Sequence, residues 1–402
     1  MKEKTAASKG LLALLVMILC AALMFCGLDL GGKPKNEMYA TEDRPAVSER
    51  RKAIFINYLE FGKMIKGKTL DEFKSEAEDA VGKISALGLN TIILHVRSHC
   101  DAFYESEIFP YSYQLAGKQG AGCGFDPLSE FLSICRGKYI KVEAWINPYR
   151  VATGSDGLSG LADENPANGF DAEKQELIVL DTGTYLNPSC EKSTELIVSG
   201  VEELLSKYDV DGIHFDDYFY PSNDEKTDNL LYEKYKTDKS QDISVGDFRR
   251  GCVNSMIKRV YEKVKEHNAV FGISPAADIE KNREVLFADA EEWCRGGYCD
   301  YICPQIYFGF EYPKEGFDFL SLCKRWREIC GETELDIALA AYKIGTTDGG
   351  SDEWKEHDDI LKRQAEYVKN AGAGLCIYGF STLFSDSKQS AAELENLKNS
   401  SF

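Results

Sequence analysis

From about residue 50 to the C-terminus, short β-branched runs alternate with amphipathic stretches. The apolar runs predict strands near Ala53–Tyr58, Thr91–Arg97, Lys141–Asn147, Gly212–Asp216, Val270–Ser274, Tyr301–Ile306, Ile337–Ala341 and Gly374–Tyr378. Apolar residues at helical spacing predict helices over Asp71–Leu87, Asp126–Arg136, Ser189–Tyr208, Val245–His267, Gly316–Cys330 and Lys355–Ala371. Strands that alternate with helices build parallel βαβ units, and eight of them predict closure into a (β/α)8 TIM barrel over residues 51–395. An open doubly wound sheet is the rival. No GxGxxG follows the first strand, however, and polar residues end many strands instead of lining one crevice.

The N-terminal pattern is different. Lys2, Lys4 and Lys9 precede a nearly unbroken apolar run from Gly10 to Leu28, which the Gly31-Gly32 pair closes. This predicts an export segment over residues 1–32, a signal peptide or an uncleaved signal-anchor, followed by a polar linker over 33–50. The run is close to the roughly 20 residues that span a bilayer, and no small-x-small cleavage site follows it, which favours the anchor. A lipid on Cys26 is disfavoured by the bulky Phe25 before it. The domain is expected outside the cytoplasm, secreted or membrane-anchored, touching the membrane through this segment only.

Composition and charge narrow the partners. The 402 residues are 44% apolar and 28% charged, enough for a full core. A net charge of -19 excludes a nucleic-acid footprint, which needs a basic surface. Of the 13 cysteines, Cys20 and Cys26 lie in the export segment, and the rest are odd in number. No CxxC occurs, and the close group Cys294, Cys299 and Cys303 has no nearby His, so the cysteines read as small buried hydrophobes. No cofactor and no metal ion are expected.

The residues Asp211 to Pro221, Asp-Gly-Ile-His-Phe-Asp-Asp-Tyr-Phe-Tyr-Pro, carry the most chemistry. Period-2 alternation turns Ile213 and Phe215 toward the helices and Gly212, His214 and Asp216 into the barrel, with Asp216 at its mouth. Asp217 opens the following loop beside Tyr218, Phe219 and Tyr220, rings suited to stacking on sugars. On the second strand His95, Arg97, His99 and Asp101 share a face, and a buried Arg97 needs a carboxylate, for which Asp216 would serve. Trp145 and Asn147 share the inward phase with Glu143 on the third strand. Tyr149 follows at the end of the same strand, and Asp278, Gln305 and Tyr307 lie at other strand ends. Amides, aromatics and carboxylates gathered at several strand ends predict a site for a neutral, polyhydroxylated ligand.

The segments Arg97–Tyr104, Trp145–Arg150, Leu186–Pro188, Asp211–Pro221, Gly272–Pro275 and Pro304–Tyr307 resemble glycosyl-hydrolase-like family 10, exported barrels that include a bacterial enzyme cutting peptidoglycan glycan strands stripped of peptides. The resemblance implies a (β/α)8 barrel, a polysaccharide substrate and hydrolysis of a glycosidic bond. The Asp-Gly-Ile-His-Phe-Asp order is also similar to the fourth-strand motif of α-amylase-type barrels, whose last Asp, here Asp216, is the nucleophile. Ser98-His99-Cys100, Glu143 and Ala276-Ala277-Asp278 depart from the family pattern at the mouth.

Glycoside hydrolysis needs two carboxyl groups. Asp216 is expected as nucleophile or base, kept ionised by Arg97. Asp217, Asp278 and Glu143 all qualify by type as the acid, and Asp217 has the aromatic setting that raises a carboxyl pKa. Substrate contacts are expected from Arg97, Asp101, Trp145, Asn147, Tyr149, His214, Tyr218, Asp278, Gln305 and Tyr307. Two other functions compete: a non-catalytic glycan-binding barrel, and a metal-dependent polysaccharide deacetylase using His95, His99, His214 and Asp216.

Overall fold

The computed structural model describes residues 50–400 except residue 241. The expected export segment and nearly all of the expected linker fall on residues 1–49, outside the described residues. Among the described residues no helix is long and apolar enough to cross a membrane.

Among the described residues eleven strands form two sheets. Strands β1 (Lys52–Ile56), β2 (Thr91–Arg97), β3 (Lys141–Ile146), β7 (Gly212–Phe215), β8 (Val270–Ile273), β9 (Tyr301–Ile302), β10 (Glu334–Ala340) and β11 (Gly374–Tyr378) close a parallel barrel in that order, β11 pairing back onto β1. Between β3 and β7 the chain makes a three-stranded antiparallel sheet of β4 (Arg150–Thr153), β6 (Gly183–Leu186) and β5 (Leu177–Leu180). The expected (β/α)8 barrel is therefore the observed fold, and the small sheet is an insertion that sequence patterning did not indicate.

Local chemistry sets the boundaries. The first strand stops at Ile56 because Asn57 caps a helix over Tyr58–Ile65, with Glu60 completing a capping box; Tyr58 is helical, not the strand end expected. β9 is short because Pro304 lacks the N–H that a ladder needs, and beyond it two isolated bridges, from Gln305 to Ala276 and to Ala338, continue the pairing. The expected helix over Lys355–Ala371 begins at Ile360 instead. There the Glu393 carboxylate accepts the N–H groups of Ile360 (2.8 Å) and Leu361 (3.2 Å), capping a new helix.

Two apolar layers result. The helix-facing sides of the strands join the main core, while Ala53, Phe55, Ile93, Trp145, Tyr301, Cys303, Ala338 and Cys376 fill the barrel interior. Gly272 leaves the space that the Tyr301 ring occupies, since a Cβ there would overlap the ring. At the floor, Arg51 reaches Glu143 (2.9 Å) and Asp336 (2.7 Å) and covers the face of Tyr301. Tyr301 donates its hydroxyl to Glu143 at 2.5 Å. Glu143 is thus committed to the floor and is not a candidate acid at the mouth. The thiols of the described residues are all free, and most are buried, as small hydrophobes would be.

The floor gives a stability prediction. Arg51→Leu strands two buried carboxylates and is expected to cost roughly 3–5 kcal/mol. Burial already raises Asp336 to about 6 despite Arg51. A raised carboxyl binds its proton in the folded state first, so the deficit of the variant is largest above that pKa and shrinks as pH falls through it. Denaturant melts of both proteins at pH 5 and pH 8 check this. Equal deficits at the two values would show that the freed carboxylates are not the cause.

Candidate active site

Asp216 follows β7 directly at the C-terminal end of the barrel, where active sites of this fold lie. Its Oδ2 accepts the indole N–H of Trp145 at 3.2 Å, and its Oδ1 accepts the backbone N–H of Tyr218 at 3.1 Å. Trp145 is itself fixed: its ring stacks on His95 at 3.7 Å, and its N–H is shared with Asn147 Oδ1 at 3.1 Å. Asp217 is half-buried, and its Oδ1 accepts from the Gln305 amide at 3.1 Å while that amide also donates to the Ser274 carbonyl. Gln305 thereby ties the β7 loop to the ends of β8 and β9.

Two adjacent carboxyls in this setting cannot both ionise freely. Burial raises both, and for Asp216 the neighbouring Asp217 charge raises it further. Trp145, Tyr218, Gln305 and Arg150 pull the other way without cancelling burial. The pair therefore holds a proton well above the pH at which a solvated aspartate loses it.

Aromatic rings border the pair. Tyr218 is 48% exposed and lies under the Arg150 guanidinium at 4.0 Å. Tyr307 stacks on Tyr378, and both meet the exposed Tyr342 edge to face at 5.6 Å. Phe219 and Tyr220 do not line the mouth: Phe219 packs on Trp293, and Tyr220 donates its hydroxyl to Asp228 inside the loop core.

Several expected contacts are corrected. Arg97 does not meet Asp216. A bulge between His95 and Arg97 shifts the pairing so that Arg97 stands opposite helix-facing Ile146 and leaves the inward phase. The guanidinium lies against Gly200 of the helix Glu191–Lys207, where a Cβ would collide with it, and over Phe109 at 4.3 Å. The cation acting on Asp216 is Arg150. His214 points inward as expected but is fully buried, with its nitrogens engaged by Tyr301 and Ser274, both at 2.8 Å. Burial holds its pKa near 3, so it is a neutral interior residue and not a substrate contact.

Tyr149 is buried in the helix-side core. Asp101 is buried and accepts from Gln119 at 3.2 Å; Gln119 also holds Ala162 and Asn165, so Asp101 anchors loops. Asp278 caps the helix Ile279–Glu284 through the N–H of Lys281. With His214 engaged and His95 flat against Trp145, the donors that a deacetylase metal would need do not converge.

The structure brings together Asp216, Asp217, Trp145, Asn147, Tyr218, Gln305 and Tyr307 from the expected set. It adds Arg150, Tyr342 and Tyr378. Tyr378 shares the inward phase with Gly374 and Cys376, a period-2 signal already present in the last strand.

An eight-stranded parallel barrel with paired carboxyls and aromatic rings at its C-terminal end is the architecture of barrel glycosidases. Solved structures share the fold: the PgaB (BpsB) glycoside hydrolase domain of Bordetella bronchiseptica superposes with a TM-score of 0.58 at 11% identity, covering 87% of this chain and 99% of that one. The α-L-fucosidase isoenzyme 2 of Paenibacillus thiaminolyticus gives 0.57 at 15%, over 87% of this chain and 49% of that one. The chain belongs to the glycosyl hydrolase-like 10 family, whose profile matches residues 63–356. It is 31% identical over 333 residues to glycosyl hydrolase YngK of Bacillus subtilis, an alignment covering 76% of this chain and 64% of that protein. It is 30% identical over 316 residues to glycosyl hydrolase DigH of Escherichia coli K12, covering 72% and 71%. The chain thus spans somewhat under two thirds of the length of YngK.

Proposed function

We propose that this chain hydrolyses O-glycosidic bonds in a cell-envelope polysaccharide outside the cytoplasm, with Asp216 and Asp217 as its two carboxyl groups. The observation that carries the reading is the adjacent pair at the end of β7, whose shared burial keeps one proton bound. In the resting pair burial and the neighbouring Asp217 charge favour the proton on Asp216, whereas the two N–H groups that Asp216 accepts favour its anion once a cationic sugar lies beside it, which moves the proton to the more open Asp217. Asp217 is then the acid that protonates the leaving oxygen. Asp216 supplies the negative charge opposite the oxocarbenium-like transition state. Tyr218, Tyr307, Tyr342 and Tyr378 supply aromatic rings that suit the apolar faces of sugars.

Support for an envelope substrate comes from the basic and apolar N-terminal pattern and from family membership; peptidoglycan glycan strands are the first candidate. Purified sacculi with and without their stem peptides test this. New reducing ends from the peptide-free strands are the expected result. None from either, with binding retained, would mark the chain as a glycan-binding barrel instead.

The pH profile is a further check. Hydrolysis needs one proton on the pair, so the rate is expected to be bell-shaped in pH. Its alkaline limb lies well above the ordinary carboxyl range, because burial raises the upper pKa of the pair. An alkaline limb at the pKa of an ordinary aspartate would contradict the raised acid.

A further inference from the structure

Arg97 is 2% exposed, and among the described residues no carboxylate lies within ion-pair distance of it. Its neighbours are the Phe109 ring, the Cys100 thiol and the Tyr104 phenol. Burial pushes both Cys100 and Tyr104 up to about 12, so neither supplies a negative charge at neutral pH. A guanidinium does not give up its proton, and a buried charge without a counter-charge is strongly destabilising.

Beside it lies a small cavity lined by Arg97, His99 and Arg150, with Phe109, Leu196 and Ile197 among its apolar walls. Three buried nitrogens of those polar residues have no protein partner: Nη1 of Arg97, Nε2 of His99 and Nε of Arg150. His99 is neutral, because burial and then Arg150 hold its pKa near 4. Its Nδ1 lies 2.9 Å from the Ser98 hydroxyl, and when that hydroxyl donates, the ring proton sits on Nε2. All three groups are then N–H donors on residues that line this space. The lining side chains offer donors and no strong acceptor, a balance that suits an anion better than a water molecule. The space admits the centre of one water-sized body, about 10 Å³, too little for sulfate or phosphate.

We propose that this cavity binds a single halide ion, chloride in the native setting, as the counter-ion of the Arg97 guanidinium. The ion neutralises a charge that the helix Glu191–Lys207 would otherwise pack against uncompensated. It also shares Arg150, whose guanidinium covers Tyr218 at the mouth, and so links the buried side of β2 to the rim of the active site. This inference does not depend on the substrate or on the roles of the two aspartates.

Bromide tests it directly through its anomalous scattering. Crystals of the full chain grown in bromide are expected to show an anomalous peak between the Arg97, His99 and Arg150 side chains. Bromide peaks elsewhere with none in this cavity would overturn the proposal. In solution at constant ionic strength, exchanging gluconate for chloride or bromide is expected to raise Tm by a few degrees in a saturable manner, as a specific ligand of the folded state does. Arg97→Gln is expected to abolish that response. A Tm that ignores the halide in the parent protein, or a saturable rise that persists undiminished in Arg97→Gln, would also overturn it. If Arg97→Gln does not fold, the bromide map of the parent decides.

Discussion

Asp216→Asn is expected to lower the rate of glycan hydrolysis by about 10³ to 10⁴-fold while leaving a folded protein that still binds glycan. Isosteric replacement of a catalytic aspartate keeps the shape and removes the charge the transition state needs, and losses of that order follow. The stability terms nearly offset. One oxygen becomes an NH2 group that cannot accept the N–H of Trp145 or Tyr218, a loss of about 1 kcal/mol. Against that, a poorly solvated carboxyl with a like charge next door is gone. Circular dichroism, glycan pull-down and reducing-end release on the same preparation separate these effects. Activity close to the parent's would remove Asp216 from the mechanism.

Asp217→Ala has the second large effect, and here the leaving group is the diagnostic. A general acid contributes about 10² to 10⁴-fold when the departing oxygen needs a proton, and little when it does not. Natural glycans are therefore expected to be cleaved slower by that factor, while an aryl glycoside with a good leaving group is nearly spared. The substitution also removes the charge that holds Asp216 up, so the alkaline limb of the pH profile is expected to disappear. Equal losses on both substrates would make Asp217 structural or the nucleophile. No loss on either would reduce it to the acceptor of the Gln305 amide.

Much of this site is legible in the sequence because parallel barrel strands are buried on both faces and read as plain apolar runs. The residues at their ends then inherit a phase, and Trp145, Asp216 and Gln305 follow from it. The phase fails at Arg97, because the bulge that turns it outward is set by pairing with β3 and leaves no mark in the β2 residues themselves. Asp278 and Asp101 fail for a different reason: a polar residue at a loop start serves equally as a cap or a loop anchor, and only long-range packing decides. His214 has the right direction but the wrong depth, since its partners Tyr301 and Ser274 come from strands far along the chain. Two missed features do carry a signal. The Asn57-x-x-Glu60 spacing marks a capping box that the apolar run up to Tyr58 conceals, and Tyr378 continues the alternation of the last strand to the mouth.

If the Asp216 and Asp217 pair directs water onto an anomeric carbon, the oxygen of that water is found on C1 when the new ends are reduced with borohydride before the hemiacetal exchanges with solvent. Digestion of peptide-free envelope glycan in water enriched in oxygen-18, followed by mass spectrometry of the fragments, reads this out. One heavy oxygen is predicted at each new reducing end with the parent protein, and no such fragments with an Asp216→Asn, Asp217→Ala double variant. Heavy oxygen in released acetate with intact chains, or labelled fragments from the double variant at the parent's rate, would contradict it.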